Sequence, residues 1–160
     1  MLVSFAFACL QLSMRDARWM MAIEVTGVCP YFEVYDMPAS VRFYRDKLGF
    51  EIVSTSPHLG GDGERFHWCW LRLGPAEIML NTAYEFDDER PPLEDYLRER
   101  NHHRDSCLFF GCPDVDGAYA ELTERGVLID NPPKVAPYGM KQMYLHDPDG
   151  YGLCFQWKAG

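Results

Sequence analysis

Apolar positions along this chain change their spacing in a fixed order, and the order occurs twice. Residues 28–35 (VCPYFEVY) read as a strand whose Pro30, Phe32 and Val34 face one way. Val41, Phe43, Tyr44 and Leu48 then recur at helical spacing, which predicts a helix opened by Asp36 and Pro38 and closed by Gly49. Residues 50–55, 65–73 and 76–83 predict strands, the last two joined by a tight Gly74-Pro75 turn, while 56–64 (SPHLGGDGE) is a loop. After a polar bridge over 84–106, with a short helix at 93–99 behind Pro91-Pro92, the plan starts again. Residues 107–112 predict a strand. Residues 115–125 predict a helix between Asp114 and Gly126, with Ala118, Tyr119 and Leu122 inward. Strands follow at 127–130, 140–146 and 151–157, with a loop at 131–139 (NPPKVAPYG) and the turn Asp147-Pro148-Asp149-Gly150.

Laid on Asp36 and Asp114, the runs 31–52 and 108–129 repeat one another, their Asp-to-Gly spacings differing by one residue. Such a duplication predicts two βαβββ modules, an α+β fold, and a ligand position between the halves. Residues 23–158 form a single domain: module one at about 27–83, the bridge at 84–106, module two at 107–157. Residues 1–22 read as an N-terminal appendage. Their apolar run has no Lys or Arg before it and is too short to span a membrane.

Composition narrows the function. A formal charge of −9 disfavours nucleic acid and anionic membrane as partners and suits a cationic small molecule or simple solubility. The six cysteines show no CxxC spacing, so a disulfide framework is not expected and a reducing cytoplasm fits. Gly60-Gly61-Asp62-Gly63 opens no helix and is a turn rather than a phosphate loop; no Gly-x-Ser-x-Gly elbow is present.

The motifs DMPASVRFY at 36–44, LGF at 48–50, DVDGAY at 114–119 and DPDG at 147–150 resemble the glyoxalase/bleomycin-resistance/extradiol-dioxygenase (vicinal oxygen chelate) superfamily over roughly residues 27–157. The run VCPYFEVYDMPASVRFYRDKLGFE is most similar to the bleomycin-resistance branch. The resemblance implies a curled eight-stranded mixed sheet around a cavity, helices on the outside, and a homodimer. It leaves activity open, since the superfamily holds lyases, isomerases, dioxygenases and drug-binding proteins.

Strand alternation aims Cys29, Tyr31, Glu33, Glu77, Met79, Asn81, Cys107, Phe109, Gly111, Cys154 and Gln156 at the cavity. The resemblance maps the family's four metal-ligand positions onto Cys29, Met79, Cys107 and Cys154, where a nitrogen- and oxygen-donor metal site cannot be built. No cofactor is therefore expected. The alternative is a soft divalent or monovalent metal, or a metalloid, held by these sulfurs. Phe66, Trp68 and Trp70 share a face of the third strand, and with Tyr31, Phe109 and Tyr138 they predict flat aromatic walls. Glu33 and Glu77 would add negative charge for a planar cationic ligand. The same aromatics would equally suit a dimer contact. The expected ligand-binding set is Tyr31, Glu33, Phe66, Trp68, Trp70, Met79, Asn81, Phe109 and Gln156, with no catalytic residue. His58, His67, His102, His103 and His146 have no partner carboxylate at motif spacing. The leading expectation is a cytoplasmic, dimeric protein that sequesters an aromatic or cationic small molecule in an acidic groove. The rivals are a lyase, isomerase or dioxygenase with a non-standard metal site, metal-free acid–base chemistry by Glu33 or Glu77 with His67, and a thiol-based metal or metalloid binder.

Overall fold

The computed structural model describes residues 27–60 and 65–160; the expected appendage and the tip of the 56–64 loop lie outside them. Two residues beyond strand β1 (Tyr31–Val34), Asp36 accepts the Ala39 N–H on its Oδ1 at 2.9 Å and opens helix α1 (Met37–Arg42), with Pro38 in its first turn. In the second module Asp114 does the same for Gly117, at 2.8 Å, and opens α3 (Val115–Glu124). A Cβ on Gly117 would stand 2.3 Å from Asp114 Oδ2, so a larger residue there would require the carboxylate to shift, to a placement such as that of Asp36 accepting from Ala39 in module one.

The one-residue difference between the repeats has a physical form. Beyond α1 the chain continues as a π-helical stretch, Phe43–Lys47, in which the Leu48 N–H reaches back five residues to the Phe43 carbonyl at 3.1 Å. The extra residue is absorbed as a widened turn. Gly49 and Gly126 then close the helices at positive φ, +84° and +70°. Next to them Lys47 Nζ donates to the Arg125 carbonyl while Arg125 Nη1 donates to the Lys47 carbonyl at 3.0 Å, a reciprocal clasp between the two helix ends.

Strands β2 (Glu51–Thr55), β3 (Trp68–Leu73) and β4 (Ala76–Thr82) complete a four-stranded sheet of order β1-β4-β3-β2. Here it is called sheet A. After α2 (Leu93–Glu99) in the bridge, β5 (Cys107–Gly111), β6 (Asn131–Val135), β7 (Met140–His146) and β8 (Gly152–Lys158) form sheet B in the order β5-β8-β7-β6. Each sheet is mixed, with one parallel pair, β1 with β4 and β5 with β8. The fold is α+β, two βαβββ modules, with the eight strands divided between two sheets.

Two boundaries differ from expectation. The strand expected at 127–130 lies at Asn131–Val135, inside the run that reads as a loop. Prolines are tolerated because β6 is an edge strand whose pairing with β7 is interrupted between Asn131 and Lys134, so neither Pro132 nor Pro133 needs to donate. The third strand begins at Trp68 rather than at 65, which takes Phe66 off the sheet.

The alternation otherwise holds. Phe32 and Val34 (β1), Cys69 and Leu71 (β3), Ile78 and Leu80 (β4), Met143 and Leu145 (β7), and Leu153 and Phe155 (β8) enter one core with Val41, Tyr44 and Leu122 from the helices. Each fully buried aliphatic side chain contributes about 1.5–3 kcal/mol. Because both sheets turn their helix-covered faces into this shared core, their other faces lie on the outside, where Tyr31 and Phe109 are about half exposed while Cys154 and Gln142 are covered by their neighbours. That is the geometric fact on which the site depends.

The modules are also joined by polar groups. Asp147 Oδ2 accepts from the Tyr44 hydroxyl at 2.9 Å, Asp149 Oδ2 from the Ser40 hydroxyl at 2.9 Å, and Asp149 Oδ1 from the Tyr35 N–H at 2.7 Å. Tyr151 stacks on Phe32 at 3.9 Å and on His103 at 3.8 Å. Burial, reinforced by the neighbouring Asp149 carboxylate, pushes the Asp147 carboxyl up to about 7. Gly150, at φ +95°, is where the turn meets the bridge: a Cβ there would stand 2.6 Å from the His102 carbonyl oxygen.

Candidate small-molecule site on the open sheet faces

The open face of sheet A gathers six of the nine residues expected to bind a ligand. Strand register sets them in two cross-strand rows: Tyr31, Met79 and Trp70, then Glu33, Asn81 and Trp68. Tyr31 is 50% exposed, so the surface is open rather than packed. Phe66 does not join them. It is buried at 2% exposure in the helix-side core, because the chain has left sheet register before Trp68.

The acidic character expected of this face is cancelled. Arg100, from the bridge, holds the Glu33 carboxylate at 2.8 Å, and Arg72 holds Glu77 at 2.8 Å. The Arg72 guanidinium also lies 5.2 Å from the Trp70 ring centroid. The Trp70 indole N–H is buried without an acceptor among the described residues. His67, considered as a partner for these acids, hydrogen-bonds Thr82 Oγ1 through Nδ1 at 2.9 Å instead. Sheet A therefore offers flat aromatic area with compensated charge.

Sheet B carries the groove. A space of about 610 Å³ lies between the rim segment 131–137 and the side chains of Gln142 and Tyr144 on β7. That is a small-molecule volume. The single charged side chain lining it is Lys134, a cation where an acidic groove was expected. Beneath the rim runs a chain of hydrogen bonds: the Tyr138 hydroxyl donates to Gln142 Oε1 at 2.6 Å, and Gln142 Nε2 donates to Gln156 Oε1 at 2.8 Å. Phe109, 53% exposed, meets Tyr144 edge-on at 6.3 Å between centroids. Desolvation, and after it the adjacent Cys154 thiol, pushes the Tyr144 phenol up to about 12, so it remains a neutral hydroxyl at neutral pH.

Phe109 and Gln156 were expected on this face; Lys134, Gln142 and Tyr144 were not identified from the sequence. The signal for the last two was present. Residues 142, 144 and 146 alternate with core-facing Met143 and Leu145, and the same rule applied to β7 selects them. It selects His146 as well, which pairs with Asp130 at 2.6 Å at the exposed edge of the sheet.

The four positions matched to the family's metal ligands are divided between the two modules. Cys29 and Met79 belong to module one and sheet A, and Cys107 and Cys154 to sheet B. Burial raises the Cys29, Cys107 and Cys154 thiols above their ordinary value, against the thiolate that a soft metal needs. Among the described residues no group of three or more His, Cys, Asp or Glu side chains is placed to hold a metal ion. Nor do the two sheets close over a shared hollow within one chain. A second groove, of about 620 Å³, lies at the module junction, where Glu77 of sheet A and Phe109 of sheet B both line it beside Pro30.

Comparison with known proteins follows these lines. TnmS3, described as an antibiotic binding protein from Streptomyces sp. CB03234, is 26% identical, with 87% of this chain and 99% of that one covered at a TM-score of 0.58. TioX from Micromonospora sp. ML1 is 17% identical over 82% of this chain and 99% of its own, at a TM-score of 0.60. A glyoxalase/bleomycin resistance protein/dioxygenase from Nocardioides is 18% identical over 91% of both chains, at 0.61. A search of curated proteins returns no match. The family model for the Glyoxalase/Bleomycin resistance protein/Dioxygenase superfamily matches residues 32–155, most of the chain. The duplicated modules, the capped helices and the mixed sheets thus have their explanation: the chain belongs to the Glyoxalase/Bleomycin resistance protein/Dioxygenase superfamily.

Proposed function

We propose that this protein binds and sequesters a planar aromatic small molecule without transforming it. The observation that carries the reading is the groove of about 610 Å³ on sheet B, apolar at its proline rim and floored by the Gln142 amide and the Tyr144 phenol. Such a site can stack and hydrogen-bond a ligand. It has little with which to react. The acids on sheet A are tied to arginines, and the thiols of both sheets are raised by burial. The likeness to TnmS3, described as antibiotic binding, points the same way.

The protein acts as a homodimer in this reading. Each chain turns its two open faces outward, with Tyr31 50% and Phe109 53% exposed. Exposed apolar surface of this kind is ordinarily covered by a partner or ligand. A second copy supplies an aromatic sheet A to lie over the groove of sheet B, and the ligand fills the space between. The five described cysteines are free thiols, which suits a reducing cytoplasm.

Fluorescence titration with a panel of planar aromatic compounds tests the reading. Binding should quench emission from Trp68 and Trp70, and Phe109→Ala should weaken it about tenfold, the loss of one stacking partner. Emission unchanged across a broad panel would remove the basis for the proposal.

A further inference from the structure

The end of the bridge winds left-handed. Asn101, His102 and His103 stand at φ +50°, +53° and +51°, three successive non-glycine residues in a region that such residues ordinarily enter one at a time. Packing holds the turn in place. The His102 carbonyl oxygen fits against Gly150, where a Cβ would stand 2.6 Å away. The His103 ring stacks on Tyr151 at 3.8 Å and lies 6.0 Å from the Tyr96 ring. Backbone strain of this kind persists only where the surroundings over-determine it.

The ring that fills this place is poorly suited to carry charge. His103 is 7% exposed, and its Nε2 is buried without a hydrogen-bond partner among the described residues. A neutral imidazole can keep its one proton on Nδ1 and hide only a lone pair at Nε2. The imidazolium carries an N–H at both nitrogens, so protonation would bury a donor with no acceptor. The groups facing the ring are Arg100, His102 and Asp105 along the bridge, Tyr96 of α2, Glu33 of β1, and Tyr151 with Asp147 and Asp149 behind it. Burial, followed by the Arg100 charge, outweighs the two carboxylates and holds the imidazole below its ordinary value.

The strained turn carries a side chain that matters on sheet A. Arg100, immediately before it, donates to Glu33 Oε2 through Nη2 at 2.8 Å and Nε at 3.2 Å, with its guanidinium 4.4 Å from the Tyr96 ring centroid. Glu33 lies on the open face in the row with Asn81 and Trp68. We propose that residues 100–103 form an acid-released strap: protonation of His103 undocks the left-handed turn and withdraws Arg100 from Glu33, so that the face of sheet A passes from charge-compensated to acidic. The docked state excludes a proton that the released state accepts. Docking is therefore strongest above about pH 6.5, the ordinary imidazole value, and weakens as pH falls below it. Asp147 has the opposite sign, since its proton is held more tightly by the folded protein, and the two are separable.

Hydrogen exchange of the full chain, read by mass spectrometry on peptides covering 93–106, tests the strap. After correction for the intrinsic pH dependence of exchange, this segment should open about tenfold more often at pH 5.5 than at pH 7.5, the protonation factor of an ordinary imidazole. Peptides of β3, β4, β7 and β8 should show no such rise. His103→Phe keeps a stacked ring and removes the titration, so its opening should be level with pH, whereas Asp147→Asn should keep the rise. A wild-type segment that opens no more often in acid would overturn the inference. So would a rise that survives in His103→Phe or vanishes in Asp147→Asn. The charge on the face is read with the cationic dye proflavine; this arm rests on the small-molecule reading, and the exchange arm does not. Proflavine affinity should rise about two- to threefold over the same acidification in wild type and stay level in Glu33→Gln. A level affinity in wild type would overturn the release of Glu33. Proflavine that binds at neither pH would count against the small-molecule reading and leave the strap to be decided by exchange.

Discussion

The two open faces come from one duplicated module, yet they solve the problem of an exposed surface differently. Sheet A keeps formal charges and neutralises each: Glu33 with Arg100, Glu77 with Arg72, and Arg72 again over the Trp70 ring. Sheet B has a neutral face of Gln142, Gln156, Tyr144 and Phe109, and the proline-rich edge β6 walls a groove over Gln142 and Tyr144. A paired charge on a half-exposed surface contributes little, whereas a neutral amide keeps both a donor and an acceptor. The duplicated fold thus presents a charge-compensated aromatic face on one side and a neutral, walled groove on the other.

The same asymmetry governs how the modules are joined. The β7–β8 turn of module two buries Asp147 and Asp149 against Tyr44 and Ser40 of module one, while the β3–β4 turn is Gly74-Pro75. The largest expected effect follows. Asp147→Ala at pH 5 leaves the Tyr44 hydroxyl and the backbone N–H groups of Asp149 and Tyr151 without their acceptor. About 3 kcal/mol should be lost in urea unfolding, roughly 1 kcal/mol for each donor. Pro75→Ala in the opposite turn should change stability by under about 1 kcal/mol. Equal losses would mean that the junction is symmetric after all.

The pH dependence sharpens the contrast. Asp147 is raised in the folded protein to about 7, above its unfolded value near 3.9, so the native state holds that proton more tightly than the unfolded chain. The contribution is therefore fully present below pH 4 and is lost as pH rises to about 7; above that it is flat. Thermal unfolding of wild type relative to Asp147→Asn should fall by several degrees between pH 5 and pH 8. A difference that rises with pH, or none, would contradict the buried-carboxyl account.

How much of this was legible beforehand can be read from particular residues. Alternation placed Phe32, Val34, Leu71, Ile78, Leu80, Leu153 and Phe155 inside because half-buried strands impose a period of two on the chain. It failed at Phe66, where the period continues in the sequence after the backbone has left the sheet. The rim of the groove was missed because two successive prolines read as a loop, and only the interrupted ladder of an edge strand makes them tolerable. The one-residue offset between the repeats was visible, but not its expression as a π turn. The Arg100–Glu33 pair spans 67 positions and left no local mark. The Arg72–Glu77 pair did: a hairpin closed at Gly74-Pro75 sets those two residues opposite one another.

The smallest effect probes that last pair. Arg72→Ala should alter stability by under about 1 kcal/mol, since the ion pair is substantially exposed. It also frees Glu77 on sheet A. Affinity for a cationic planar dye should rise by about two- to threefold relative to a neutral one of the same shape, with salt reducing the gain. No change in that ratio would show that the arginine clamp is irrelevant to ligand choice.

Native mass spectrometry of the protein with saturating planar aromatic ligand, followed by recovery and mass measurement of the compound, tests sequestration most directly. Occupancy should plateau at one molecule per chain within a dimer, with the recovered compound unaltered. A converted product, or protein that stays unliganded across the panel, would contradict the account.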